Sequence, residues 1–234
     1  MTGATESRHS NRQDIARLII GVIVFGSIWG FLEATLGGFL HMIIFPNKGA
    51  IMAGIGIALM ASALAIYKKP GMLPVIGIIA ASFKLLDVWI FSLPVTSIHI
   101  INPAMAIIFE SLVFSLVAVF LMKKMEKDAY VGIGAGILVG IVSAVAWVNF
   151  AIHVMNAPAY ARVVFTASGF ITNQGVVQAL FCGIFLPLGY LLGGKLAART
   201  SPWLISRPRH YYATSAVIIS VCWIVSALAI MTGV

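Results

Sequence analysis

The sequence predicts an all-α polytopic membrane protein: a compact bundle of about seven transmembrane helices, six plus a C-terminal one, with its N-terminus inside and its C-terminus outside. Three observations predict it. Seven apolar stretches separated by short polar loops fill almost all of the 234 residues. Hydrophobic residues make up 61% of the chain and charged residues 9%, with a mean hydropathy of +1.04, whereas a soluble domain carries roughly a quarter charged residues. Finally, the excess of Lys and Arg alternates from one loop to the next.

A hydrocarbon core about 30 Å thick needs about 20 apolar residues per helix, and irregular backbone facing lipid is too costly. The runs are also too long for barrel strands. Residues 1–14 form a polar cytoplasmic tail and 15–234 a single helical transmembrane domain. The first run, 15–44, exceeds the length of one span, so it tilts, projects from the membrane or bends near Gly37-Gly38. It contains Glu33 and lacks a small-x-small site, which excludes a cleavable signal peptide. The second run, 50–67, closes on Lys68-Lys69-Pro70-Gly71, and the third is 72–93. The fourth, 101–122, opens on Asn102-Pro103, read as an Asn cap followed by Pro at the first helical position. The remaining runs are 131–155, 175–197 and 213–234.

Orientation follows from the cations. Twelve of the fifteen Lys and Arg residues fall at the N-terminus and in the second, fourth and sixth loops; Lys48 and Arg162 fall on the other side, and Lys84 lies within a span. Short loops rich in Lys and Arg stay in the cytoplasm, so the expectation is a multi-pass protein of the cell membrane with a cytoplasmic N-terminus. The net charge of +8 has the same origin. No basic patch interleaved with aromatic platforms occurs, and nucleic-acid binding is excluded on that ground. Cys182 and Cys222 stand alone in different runs without zinc spacing and read as packing residues.

In this orientation nearly all polar groups at membrane depth lie in the outer half. Glu33 and His41 are on the first span, Lys84 and Asp87 on the third, and His99 is in the loop that follows. Asn102 opens the fourth span, with Glu110 about two turns deeper. Asn149 and His153 end the fifth span, with Asn156 beyond, and Asn173, Gln174 and Gln178 open the sixth. Ionisable groups inside a membrane are expensive and face a bundle interior or a water-filled cavity, so a polar cavity opening outward is expected. Helical phase supports it. Gly26, Gly30, Glu33, Gly37 and His41 share an arc of about 80°, and such glycines let a second helix approach closely. Gly132, Gly136, Gly140, Ser143 and Trp147 form a packing seam, Trp147 also reaching the ligand set, while Asn149, His153 and Asn156 form a separate stripe.

Each group also has a plain structural reading. Lys84 and Asp87, three apart on a helix, suit an ion pair. Glu110 suits a neutral carboxyl bonded to a neighbouring helix, and each histidine a wetted interfacial side chain. Trp29, Trp89, Trp147, Trp203, Tyr211 and Tyr212 suit packing or interfacial anchoring. The glycines from Gly132 to Gly136 open a transmembrane helix and form no phosphate loop. The segment from Asn156 to Gln174 reads equally as a lid over the cavity or as a connector.

Two functions fit these groups. The first is capture of a small polar solute for uptake. The stretches Gly26-Ser27-Ile28-Trp29-Gly30-Phe31-Leu32-Glu33 and Ile101-Asn102-Pro103-Ala104-Met105-Ala106-Ile107-Ile108-Phe109-Glu110, with the size and basicity of the chain, resemble the S-component of energy-coupling factor (ECF) transporters, their substrate-binding membrane subunit. The resemblance covers about 200 residues and matches no defining motif; the seventh span and the lack of Ala-x-x-x-Ala in the first depart from the family's pattern. It implies a chain without ATPase activity, served by separate energising transporter subunits. No Walker or hydrolase motif occurs, which argues against an enzyme. The alternative is a membrane metalloprotein or metal-dependent oxidoreductase, with a divalent metal held among His41, His99, His153, Glu33 and Glu110, with Asp87 as a further ligand. No HxxxH or ExxH pair supports it.

Overall fold

The computed structural model describes residues 2–155 and 167–233, which fold as helices joined by short turns, with no strand among the described residues. Asn156, Arg162, most of the segment read as a lid or connector, and the side chain of Trp203 lie outside the described part. Helix α1, Thr2–Met42, runs continuously from the polar start through the first apolar run. Its 41 residues span about 60 Å at 1.5 Å per residue, about twice the hydrocarbon thickness, so it projects from the bilayer.

Helix α2, Lys48–Tyr67, is bounded by Asn47 and Lys68, both left-handed at φ 55° and 54°. The third span is broken. A 3₁₀ turn, Pro70–Met72, leads into α3, Leu73–Ser82, and the chain restarts as α4, Leu85–Phe91. At the break Phe83 and Lys84 donate to carbonyls three residues back, Ala80 and Ala81, at 3.2 and 3.1 Å. Helix α5 runs from Ile98 to Met125 and begins earlier than the sequence implied: Ser97 is the N-cap residue, so Asn102 is not the cap and Pro103 sits inside the helix. Helix α6, Ala129–His153, is capped by Asp128, whose carboxylate accepts from the Tyr130 N–H at 2.8 Å. One α-turn, α7 (Ala167–Phe170), and a π-turn (Ile171–Gly175) lead into α8, Val176–Ser206, and α9 is Pro208–Thr232.

Among the described residues seven helices, counting α3–α4 as one unit, are long and apolar enough to cross a membrane. Helix α2 is the most enclosed, with 67% of its apolar window buried against 22% for α9. Small residues set the contacts. Gly189 and Gly193 of α8 lie against the backbone of Ala58 and Ser62 in α2, and the Ser62 hydroxyl is 2.7 Å from the Gly189 carbonyl. Along the expected seam of α6, Gly136 meets the Cys182 backbone and Gly140 that of Ala179 in α8. Gly26 and Gly30 of α1 receive Ile79 and Phe83, and Gly56 of α2 receives the fully buried Trp29. Helix α9 docks on this core through Trp223, whose ring is 4.0 Å from that of Phe83. Leu180, Ile184, Leu188 and Leu191 of α8 are exposed, a surface suited to lipid and unsuited to water.

Candidate functional site

The helix ends on the side of the α1–α2 turn do not close against each other. They enclose a cavity of about 1090 Å³, bounded by α1, α2, the α3–α4 break, α5, α6, the π-turn and α8, with Gly233 after α9 at its edge. Its floor is built from three helices. Glu110 of α5, only 7% exposed, accepts from Gln178 Nε2 of α8 at 3.4 Å, and the same amide nitrogen is 3.2 Å from Ser143 Oγ of α6. Ser143 donates to the Val139 carbonyl at 2.7 Å, which leaves its oxygen free to accept from Gln178.

The next layer carries charge of both signs. Glu33 of α1 is half-buried and lies over Gly37, where an added Cβ would stand 3.5 Å from its carboxylate oxygen. Glu33 is within electrostatic reach of Glu110 and of Lys84, and it interacts with the Trp29 indole N–H, which has no partner of normal hydrogen-bond geometry among the described residues. Lys84 sits in the α3–α4 break. Its side chain lines the cavity. The Lys84–Asp87 pair expected on one helix is not formed at ion-pair distance: the break puts Lys84 before α4 and Asp87 in its first turn.

Towards the mouth, Trp147 packs against Phe170 with ring centroids 4.9 Å apart and planes tilted by 38°, and its indole N–H donates to the Asn102 carbonyl at 3.4 Å. Pro103 has no N–H to give to the carbonyl four residues back, so the His99 carbonyl at the cavity edge lacks its helical donor. At the rim the Lys48 ammonium donates to His41 Nδ1. The π-turn places Phe170 and Gln174 on the lining; such turns recur at functional sites because the wider turn rotates the following side chains out of register.

Of the eleven residues the sequence marked for ligand contact, Glu33, His41, Lys84 and His99 line this cavity, together with Asn102, Glu110, Trp147 and Gln178. Three do not. Asp87 lines an adjoining recess of about 200 Å³ that also reaches Glu33 and Lys84. Asn149 and His153 are exposed away from the cavity, Asn149 donating to its own helix at the Val145 carbonyl, 2.8 Å. Lys48, Phe170 and Ser143 belong to the lining without having been singled out for ligand contact. The signal for Lys48 was its rarity, as one of two cations on its side of the chain. Ser143 was legible only as the polar member of a packing seam.

Among the described residues no three His, Cys, Asp or Glu side chains come together as a metal site would require. The fold and the cavity define a class: a helical protein with seven spans able to cross a membrane and, at one end of the bundle, a largely apolar cavity that carries Glu33, Lys84 and Glu110. Comparison with protein-family models, with curated proteins and with solved structures returned no match.

Proposed function

We propose that this is an integral membrane protein that captures a small polar solute from the extracytoplasmic side for uptake, as the substrate-binding subunit of a transporter. One observation carries the reading: charged and amide side chains from α1, α5 and α8, with Lys84 at the α3–α4 break, meet at a cavity of about 1090 Å³ instead of packing dry. That volume is in the range of small-molecule sites. Desolvated charge at membrane depth costs several kcal/mol, and recognition of a polar ligand is a return for that cost. The cavity opens at the end of the bundle that carries two of the fifteen cations, which favours the extracytoplasmic side. The chain has no nucleotide-binding motif, and this reading pairs it with separate energising subunits.

The test is a thermal-stability screen of the purified protein against small polar solutes, since a ligand that binds the folded state stabilises it by mass action. A stabilising solute should need at least about tenfold more for the same effect in Glu33→Gln and Glu110→Gln, the order expected for losing a buried charged contact. His153→Ala, on the exposed end of α6, should leave it unchanged. If hits are indifferent to both glutamates, the cavity is not where solutes bind and the reading fails.

A further inference from the structure

The cavity's charges are segregated by depth, and the deepest one, Glu110, forms no ion pair with any described residue. Glu110 stands about three turns into α5 and Glu33 between two and three turns from the end of α1. Lys48 begins α2, and His41 and His99 stand at the ends of their helices nearest the mouth. Lys84 lies in the deeper zone beside Glu33 and offsets it. What remains is an acidic floor at Glu110 and a basic rim at Lys48. Among the described residues the sole ion pair is Lys68–Glu126, so neither Glu110 nor Lys48 is ion-paired with any described residue. Among the described residues the amide of Gln178 is the one hydrogen-bond partner of the Glu110 carboxyl, at 3.4 Å.

A buried carboxylate is retained when a cation completes it. The cavity is far larger than a bare ion, and between floor and rim its wall carries the Trp147–Phe170 pair, a surface for an apolar body and for the flank of an organic cation. Among the described lining residues two acids, Glu33 and Glu110, are matched in number by two lysines, Lys48 and Lys84. A net-neutral ligand with separated charges leaves that balance intact, whereas an anion or a cation alone satisfies one end and strands the other.

We propose that the captured solute is a zwitterion of the ω-amino-acid type: a cationic nitrogen seated at Glu110, an apolar or aromatic middle against Trp147 and Phe170, and an acidic group at Lys48. This rests on the solute-capture reading and specifies its substrate class. Glu110 lies about 18 Å along α5 from Ile98, where that helix starts at the cavity lining, taking 12 residues at 1.5 Å each. Even after the side chains close part of that gap, the two charges of the ligand belong several bonds apart, farther than in an α-amino acid.

The probes are a matched set: 4-(aminomethyl)phenylacetate, its amine half 4-methylbenzylamine, and its acid half 4-methylphenylacetate. Thermal midpoints of the purified protein are followed against the concentration of each, in sodium and in choline buffers. The zwitterion should stabilise at concentrations at least about tenfold below either half. Glu110→Gln should erase its advantage over the acid, and Lys48→Gln, at the exposed rim, its advantage over the amine. An equal effect of acid and zwitterion on the wild type overturns the proposal, as does an unchanged order in Lys48→Gln, or stabilisation by sodium that the amine does not displace. If the set shows no order while other solutes stabilise through Glu33 and Glu110, the charge assignment fails and solute capture stands. If no solute acts through the cavity, both fail.

Discussion

At the scale of single residues, neighbouring glycines in α8 do opposite jobs. A methyl group at Gly193 would run into the backbone of Ser62, whereas one at Gly194 meets nothing within 4 Å. Helix association in lipid gains nothing from hiding apolar surface, so close backbone approach supplies much of it. Gly193→Ala should therefore destabilise the bundle by about 1–3 kcal/mol, the cost of overpacking a tight contact. Gly194→Ala should be neutral or gain up to about 1 kcal/mol from helix propensity. Unfolding in mixed micelles checks both, and equal effects would mean that α2 and α8 do not meet as described. The sequence made part of this legible: the glycine faces of α1 and α6 fall at helical spacing, and both receive neighbours. The partners were not legible, because periodicity marks a small-residue face without saying which helix fills it.

At the scale of elements, what escaped the sequence was departure from regular helix. The apolar run through Phe83 and Lys84 carries no Gly or Pro at the break, so nothing in its pattern separates one helix from two. The π-turn at Ile171–Gly175 is equally silent, and Pro103 suggested a helix start because Pro is common there. All three departures border the cavity, so the site was legible as a set of polar residues in one half of the spans but not as a list of those that converge. At the opposite end, a polar clamp ties three elements. Lys68, after α2, donates to Glu126, after α5, at 2.8 Å and to the Tyr190 hydroxyl of α8 at 2.7 Å. The bond to the Lys68 ammonium holds the Glu126 carboxyl below the ordinary carboxylate range. Partial burial disfavours the charged Lys68, but its bonds to Glu126 and Tyr190 outweigh this and hold it above the ordinary lysine value. A depressed acid stabilises above its unfolded pKa and loses that contribution as pH falls through its folded value; a raised base keeps its contribution until pH rises through its folded value. The difference in thermal midpoint between wild type and Glu126→Gln should be small and constant near neutrality and vanish on the acid side. It should also shrink in high salt, because both side chains are partly exposed. A difference that grows on acidification would remove the clamp from the account of how these helices are joined.

At the scale of the whole molecule, the positions of cavity and clamp become one question of orientation. The cavity mouth lies where α1 ends, α2 and α5 begin and α9 ends; the clamp lies where α2 and α5 end. Seven spans would put the two termini on opposite sides of the bilayer, and the expectation from the distribution of Lys and Arg is a cytoplasmic clamp end. On that expectation the proposed capture cavity would face outward. Fusions read this directly. Alkaline phosphatase, which folds only after export, should be active when joined after Gly233 and inactive when joined after Lys127, in the α5–α6 turn; a fluorescent protein that matures only in the cytoplasm should give the reverse. The same pattern from a Lys127 fusion in which Lys123, Lys124 and Lys127 are exchanged for Gln would show how far the other basic loops hold the orientation. If the phosphatase is active after Lys127 and inactive after Gly233, the fold stands unchanged but the cavity opens to the cytoplasm. A binding site there cannot collect a solute from outside, and release of a cytoplasmic compound would replace uptake as the reading that the same residues support.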